Sequence, residues 1–188
     1  MTRVKSLLRL LSWCVTGILA VAAPAAAADL GWHGLEVRGG ATFPADWDTG
    51  WTVAASADLG EIVDGLRLYP GISYAKAETS ESFNLFGVPF GVDQEITTLA
   101  LGAEVRWFFA GEPRGWYVGG GPYFHRLEYE VAAIVGNAVG KTTVESDSLG
   151  IEGVAGYSFG GRFNVEARYD TVSNFKGAQL LVGIRFGG

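Results

Sequence analysis

From Ala178 to Phe186, the apolar residues Leu180, Val182, Ile184 and Phe186 occupy every second position, with Gln179 and Arg185 on the opposite parity. A two-residue period predicts a β-strand with one apolar face. The same alternation, bounded by glycine, proline and polar clusters, marks further stretches at 35–43, 51–59, 66–77, 95–109, 116–130, 148–159 and 163–172. No window carries a helical period. The expectation is therefore an all-β chain of eight strands.

The connections alternate in length. Short links at 60–65, 110–115 and 160–162 are interleaved with longer ones at 44–50, 78–94, 131–147 and 173–177. Short turns at one end and long loops at the other are the pattern of an outer-membrane barrel. Gly136-Asn137 suits a hairpin turn inside the third of the longer links, 131–147. Phe83, Leu85, Phe86, Val88 and Phe90 make the 78–94 loop unusually apolar, a feature of contact surfaces.

Alternation alone does not say which face is inside, because a soluble ligand-binding barrel shows the same period with the opposite sense. The polar parity decides it. Glu36, Arg38, Arg67, Glu104, Arg106, Glu152, Glu166, Arg168, Asp170 and Arg185 all lie opposite the apolar set, and every cation among them is arginine. Lys76, Lys141 and Lys176 fall at strand tips or in loops. Arginine and carboxylate in fixed geometry suit a desolvated lumen, since a planar guanidinium can bridge two carboxylates. Trp32, Trp107, Phe109, Trp116, Phe159, Phe163 and Phe186 sit near the short-turn end, and Phe43, Trp51, Tyr74, Tyr123, Tyr129 and Tyr169 nearer the long-loop end. Two such belts match aromatic girdles at two membrane interfaces. One stretch resists assignment: in 116–130, Tyr117, Tyr123, Leu127 and Tyr129 compete with Val118, Pro122 and Phe124 for the outward face. Arg126, Glu128 and Glu130 favour an inward even-numbered face, and a bulge near Gly119-Gly120-Gly121 would switch the parity.

Residues 1–28 read as a secretory signal peptide, with Arg3, Lys5 and Arg9 as a basic head, an apolar middle, and Ala26-Ala27-Ala28 as the cleavage site. Trp13 before Cys14 is too bulky for lipoprotein processing. The expected mature domain, 29–188, keeps 11 basic against 20 acidic residues, a charge of −9, and no cysteine. That balance disfavours nucleic acid. No other stretch approaches the roughly 18 apolar residues a spanning helix needs.

The closing stretch, the Arg168-Tyr169-Asp170 strand, the hairpin spacing and the signal segment together resemble the small eight-stranded outer-membrane β-barrels. That superfamily includes opacity-type surface proteins and the membrane domain of outer-membrane protein A. The resemblance implies an antiparallel up-and-down transmembrane barrel, monomeric, in the cell outer membrane. Its implied role is structural or one of surface interaction, with membrane lipid and lipopolysaccharide as partners and the loops 78–94 and 131–147 open to a surface partner. Gly187 and Gly188 after Phe186 depart from the aromatic ending usual in the superfamily.

Two alternatives are a narrow gated channel and a lipid A deacylase-like enzyme. The latter rests on His125, with Glu128 and Glu130 nearby; the enzyme family's pattern resembles histidine followed two residues later by serine, and here that position is Leu127. A nucleophile needs its base within hydrogen-bond reach, and no serine pairs with His125 by sequence. His125 is expected at the barrel rim and His33 in solvent before the first strand. Two isolated histidines make no metal constellation. No catalytic, cofactor-binding or metal-ligating residue is assigned, and no cofactor is expected.

Overall fold

The computed structural model describes residues 29–85, 88–135, 138–172 and 176–187. Eight strands follow in chain order: β1 (Asp29–Pro44), β2 (Gly50–Val63), β3 (Leu66–Leu85), β4 (Val88–Phe108), β5 (Gly115–Val135), β6 (Ala138–Phe159), β7 (Phe163–Asp170) and β8 (Gly177–Phe186). Each pairs antiparallel with its neighbours, and β8 returns to β1 from Leu35↔Phe186 to Pro44↔Gly177, which closes the sheet. This is the eight-stranded up-and-down barrel that the alternation predicts. The signal segment 1–28 and the turn residues Gly136 and Asn137 lie outside the described residues.

The short turns need little chain. Asp64-Gly65 joins β2 to β3, with Gly65 at φ 72°. Gly160 and Gly161, at φ 58° and 71°, start the turn from β6 to β7. Two consecutive left-handed residues suit a right-twisted hairpin, and glycine adopts them without a Cβ penalty.

The faces are inverted relative to a soluble protein. Val37, Val53, Ile72, Leu101, Val118, Ile151, Val165 and Val182 point outward and are exposed, while Glu36, Arg38, Glu104, Arg106, Glu152, Glu166, Arg168 and Asp170 are buried. Such a surface suits hydrocarbon. The short-turn belt is exposed as expected, from Trp32, Trp107 and Phe109 to Phe159, Phe163 and Phe186. Ring contacts consolidate it, with Trp107–Phe109 at 5.2 Å and Tyr157–Phe159 at 4.7 Å. The opposite belt is thinner than expected. Phe43, Trp51 and Tyr169 are exposed, but Tyr123 points into the lumen and Tyr129 packs edge-on against Trp47 at 5.5 Å.

Two expectations are corrected. Segments 78–94 and 131–147 are not loops. β3 and β4 stay paired out to Leu85↔Val88, and β5 and β6 to Val135↔Ala138. Pro89, Gly91 and the polar cluster Asp93-Gln94-Glu95 carry the signals of a strand boundary, yet the pairing runs through them. β5 also has no bulge, since its register with β6 runs unbroken from Gly115↔Ser158 to Val135↔Ala138. On the odd-numbered face Tyr117, Tyr123, His125 and Leu127 are buried, whereas Arg126 and Glu128 on the even-numbered face are exposed.

Candidate functional site

Two features stand out on this frame: a packed ionic lumen and a sheet that outgrows the barrel. In the lumen, the two-residue period brings Glu36 and Arg38 from β1, Glu104 and Arg106 from β4, Glu152 from β6, and Glu166 and Arg168 from β7 into one layer. Arg38 Nη1 donates to Glu166 Oε1 and Oε2 at 2.9 and 3.1 Å, and Nη2 to Ser56 Oγ at 2.9 Å. Arg106 donates to Glu36 at 2.7 Å and to Glu104 at 2.7 Å, and its guanidinium carbon lies 4.3 Å from the Tyr69 ring centroid. Arg168 reaches Glu104 at 3.1 Å and also bonds Glu152 and Glu166. Tyr117 Oη donates to Glu166 at 2.7 Å, and Asn164 bonds Glu36.

Nearer the short turns, Asp58 accepts from Arg67 Nε at 3.1 Å, from Tyr69 Oη at 3.1 Å and from Arg185. Arg185 also donates to the carbonyl of His33 at 3.1 Å, so His33 is half-buried at the rim rather than free in solvent. All ten charged residues expected on the inward parity are thus in or at the lumen. Asp58, Asn164, Tyr69 and Tyr117 are additional members. Asp58 shares the parity of the buried Thr52 and Ser56, which is the signal that would have found it.

Apolar layers flank the ions. Tyr69, Phe108, Tyr117 and Val154 cluster on one side. Ala75, Ala77, Ile96, Leu127 and Val172 cluster on the other, with Trp47 packed against them. An eight-stranded barrel is just wide enough for side chains to fill, and this one is filled.

His125 is not a rim residue. It is 1% exposed, with Nε2 3.4 Å from Asp170 Oδ2. The register sets Ser148 opposite it, a pairing the sequence alone does not reveal. Neither imidazole nitrogen makes a hydrogen bond, so the nucleophile–base contact of a hydrolase is not formed. Glu128 and Glu130 lie outside the lumen. Among the described residues no group of three or more His, Cys, Asp or Glu could hold a metal.

The second feature is the outgrowth. β2 leaves β3 at Trp51↔Lys76, and β7 leaves β6 at Asp170↔Glu152. Beyond those points β3, β4, β5 and β6 continue as a four-stranded sheet. Its outward face carries Glu78, Asp93, Glu95, Glu128, Glu130, Glu145 and Asp147 against Lys76, Arg126 and Lys141. Glu78, Glu95 and Glu130 are direct cross-strand neighbours. Lys76 offsets their repulsion, at 2.8 Å from Glu78 and 3.0 Å from Glu95, as does Lys141 at 2.6 Å from Glu130.

No family model matches the sequence, and no curated protein matches it. Among solved structures, the chain is similar to Ail, the attachment invasion locus protein of Yersinia pestis, in complex with the heparin analogue sucrose octasulfate. The TM-score is 0.52 at 10% identity, over 84% of this chain and 99% of that one. The fold is that of the small eight-stranded outer-membrane barrels. The N-terminal β-barrel domain of Pseudomonas aeruginosa OprF aligns at TM-score 0.47 and 18% identity, over 83% of this chain and 99% of that one. Neisserial surface protein A aligns at 0.45 and 14%, over 84% and 96%.

Proposed function

We propose that this chain is an outer-membrane surface protein, exported by a cleaved signal at 1–28, whose barrel is an anchor and whose protruding sheet makes contacts outside the cell. The observation that carries this reading is the continued pairing of β3 to β6 beyond the ends of β2 and β7. A barrel needed only to span hydrocarbon requires strands of about 9–11 residues, whereas β3 to β6 run to 20, 21, 21 and 22. The surplus chain lies outside the bilayer, in contact with lipopolysaccharide at its base.

The heparin analogue bound in the Ail structure does not suit this surface. Seven carboxylates against three cations on the outward face repel a sulfated polyanion. A neutral or polypeptide partner fits the charge better.

The test is to shorten both hairpins, replacing 82–91 and 134–139 each by Asn-Gly, a two-residue turn that preserves the flanking register. The shortened barrel is expected to keep its heat-modifiable gel mobility while expressing cells lose attachment to protein-coated and bare surfaces. Attachment unchanged on every surface would remove the proposal.

A further inference from the structure

The free edge of β6 is chemically self-complementary. Ile151 N donates to Thr171 Oγ1 at 3.1 Å, and Thr171 N donates to the Ile151 carbonyl at 3.2 Å. Odd-numbered residues of β6 therefore turn their backbone groups toward the β7 side. Above Ile151, the N–H and C=O groups of the odd residues from Val139 to Leu149 meet no strand among the described residues. Natural edges are blunted by proline, bulges or charged side chains, lysine above all. The stretch 138–150 has no proline, and its pairing with β5 has no bulge. Its three charged residues, Lys141, Glu145 and Asp147, are of mixed sign, which repels other chains less than a run of one sign.

We infer that this edge pairs antiparallel with the same edge of a second copy of the chain, centred on Val144. Val144 is the midpoint of 138–150. In that register Lys141 faces Asp147 of the second copy, Thr143 faces Glu145, Val139 faces Leu149, and Val144 faces itself. Each odd residue faces an odd residue, as the direction of the free backbone groups requires. Neighbouring registers are worse. Centring on Thr143 keeps an ion pair, Lys141 against Glu145, but sets Val139 against Asp147 and leaves Leu149 without its apolar partner. Centring on Glu145 sets that carboxylate against its own copy, which destabilises a cross-strand pair. Val139, Val144 and Leu149 are 68%, 55% and 73% exposed, so all three are open to a pairing strand. Asp147 is exposed and has no ion pair among the described residues, while Lys141, bonded to Glu130, retains further donors.

The pairing also sets where the second copy stands. Strands of such barrels tilt by about 35–45°. Two upright copies in one membrane, related by an axis along its normal, would cross their β6 strands at roughly 80° on that tilt. Antiparallel pairing therefore requires opposed membranes. The edge is a homotypic bridge between cells.

This inference rests on the protruding sheet being a contact surface, and the test separates the two. Cells lacking long surface polysaccharide express the full chain with Lys141→Asp, with Asp147→Lys, or unchanged. Each charge variant alone faces like charges and is expected to lose clustering. The two populations mixed restore opposite charges at both positions and are expected to cluster as the parent does, which also shows that both variants fold. Val144→Cys is expected to give an oxidant-dependent dimer between cells, because a non-hydrogen-bonded pair sets Cα atoms about 4.5 Å apart, within disulfide range. The unchanged chain, whose one cysteine, Cys14, lies in the signal segment, is the control. Charge variants that cluster alone as the parent does, or a Val144→Cys chain that forms no dimer, would overturn the pairing. If shortened hairpins still reduce attachment to foreign surfaces, the contact surface stands and only the homotypic partner falls. If they do not, both fall.

Discussion

Arg38 on β1 donates from Nη1 to both carboxylate oxygens of Glu166 on β7, and these strands share no backbone pairing. The ion pair therefore ties the barrel across its lumen rather than along its wall. Removing one partner of a buried pair leaves an uncompensated charge, at a cost of about 3–5 kcal/mol. Arg38→Ala should lower the urea midpoint in lipid vesicles accordingly, and lower the temperature of the gel-mobility shift. Glu166 also bonds Tyr117 and Arg168, so the effects of Arg38→Ala and Glu166→Gln should be strongly non-additive. Additive effects would show that the network does not act as a unit.

Gly156 leaves room for the Tyr117 ring. A Cβ placed on it would lie 2.5 Å from Tyr117 Cζ and Oη and 2.8 Å from the Val165 carbonyl oxygen. The ring is held by its bond to Glu166 and cannot retreat freely. Gly156→Ala should cost about 1–3 kcal/mol by overpacking, measured by urea unfolding. The same change in a Tyr117→Leu background should cost much less. An equal cost in both would place the strain in the backbone instead.

The barrel was legible because hydrocarbon enforces alternation: wherever the outward face meets lipid, as at Leu180, Val182 and Ile184, the parity of Arg and Glu identifies the lumen. The same rule misled on β5. Arg126, Glu128 and Glu130 read as inward because polar residues inside the membrane must be, yet they lie where the sheet has left it and outward polar residues meet water. His125 and Tyr123 were misplaced with them. The hairpins read as loops because Pro89, Gly91, Gly136 and polar clusters such as Asp93-Gln94-Glu95 carry the signals of a strand boundary. The ion pairs themselves could not be read, because Arg38 and Glu166 are 128 residues apart and their meeting depends on barrel closure.

A filled lumen has an electrical consequence. The ionic layer lies between the Tyr69–Phe108–Tyr117–Val154 cluster and the Ala75–Ala77–Ile96–Leu127–Val172 cluster. Ions crossing would have to displace both apolar layers and break several buried pairs. Planar-bilayer recordings of the purified protein are expected to show no steady conductance. A sustained conducting state would mean that the lumen network rearranges, and would restore the channel alternative.

Orientation is tested by the basic residues at the two ends. Lys141 lies near the tip of the β5–β6 hairpin, three residues from the start of β6, where strand ends fray and admit protease. Arg114 and Arg162 are exposed in the short turns at the opposite end. Trypsin applied to intact cells should cleave after Lys141 and spare Arg114 and Arg162, as peptide mapping would show. Lys141→Gln should abolish that cleavage without altering barrel mobility on gels, because the residue belongs to the outgrowth and not to the lumen. Cleavage after Arg114 or Arg162 in intact cells would invert the topology, placing the protruding sheet inside the envelope and removing its access to other cells.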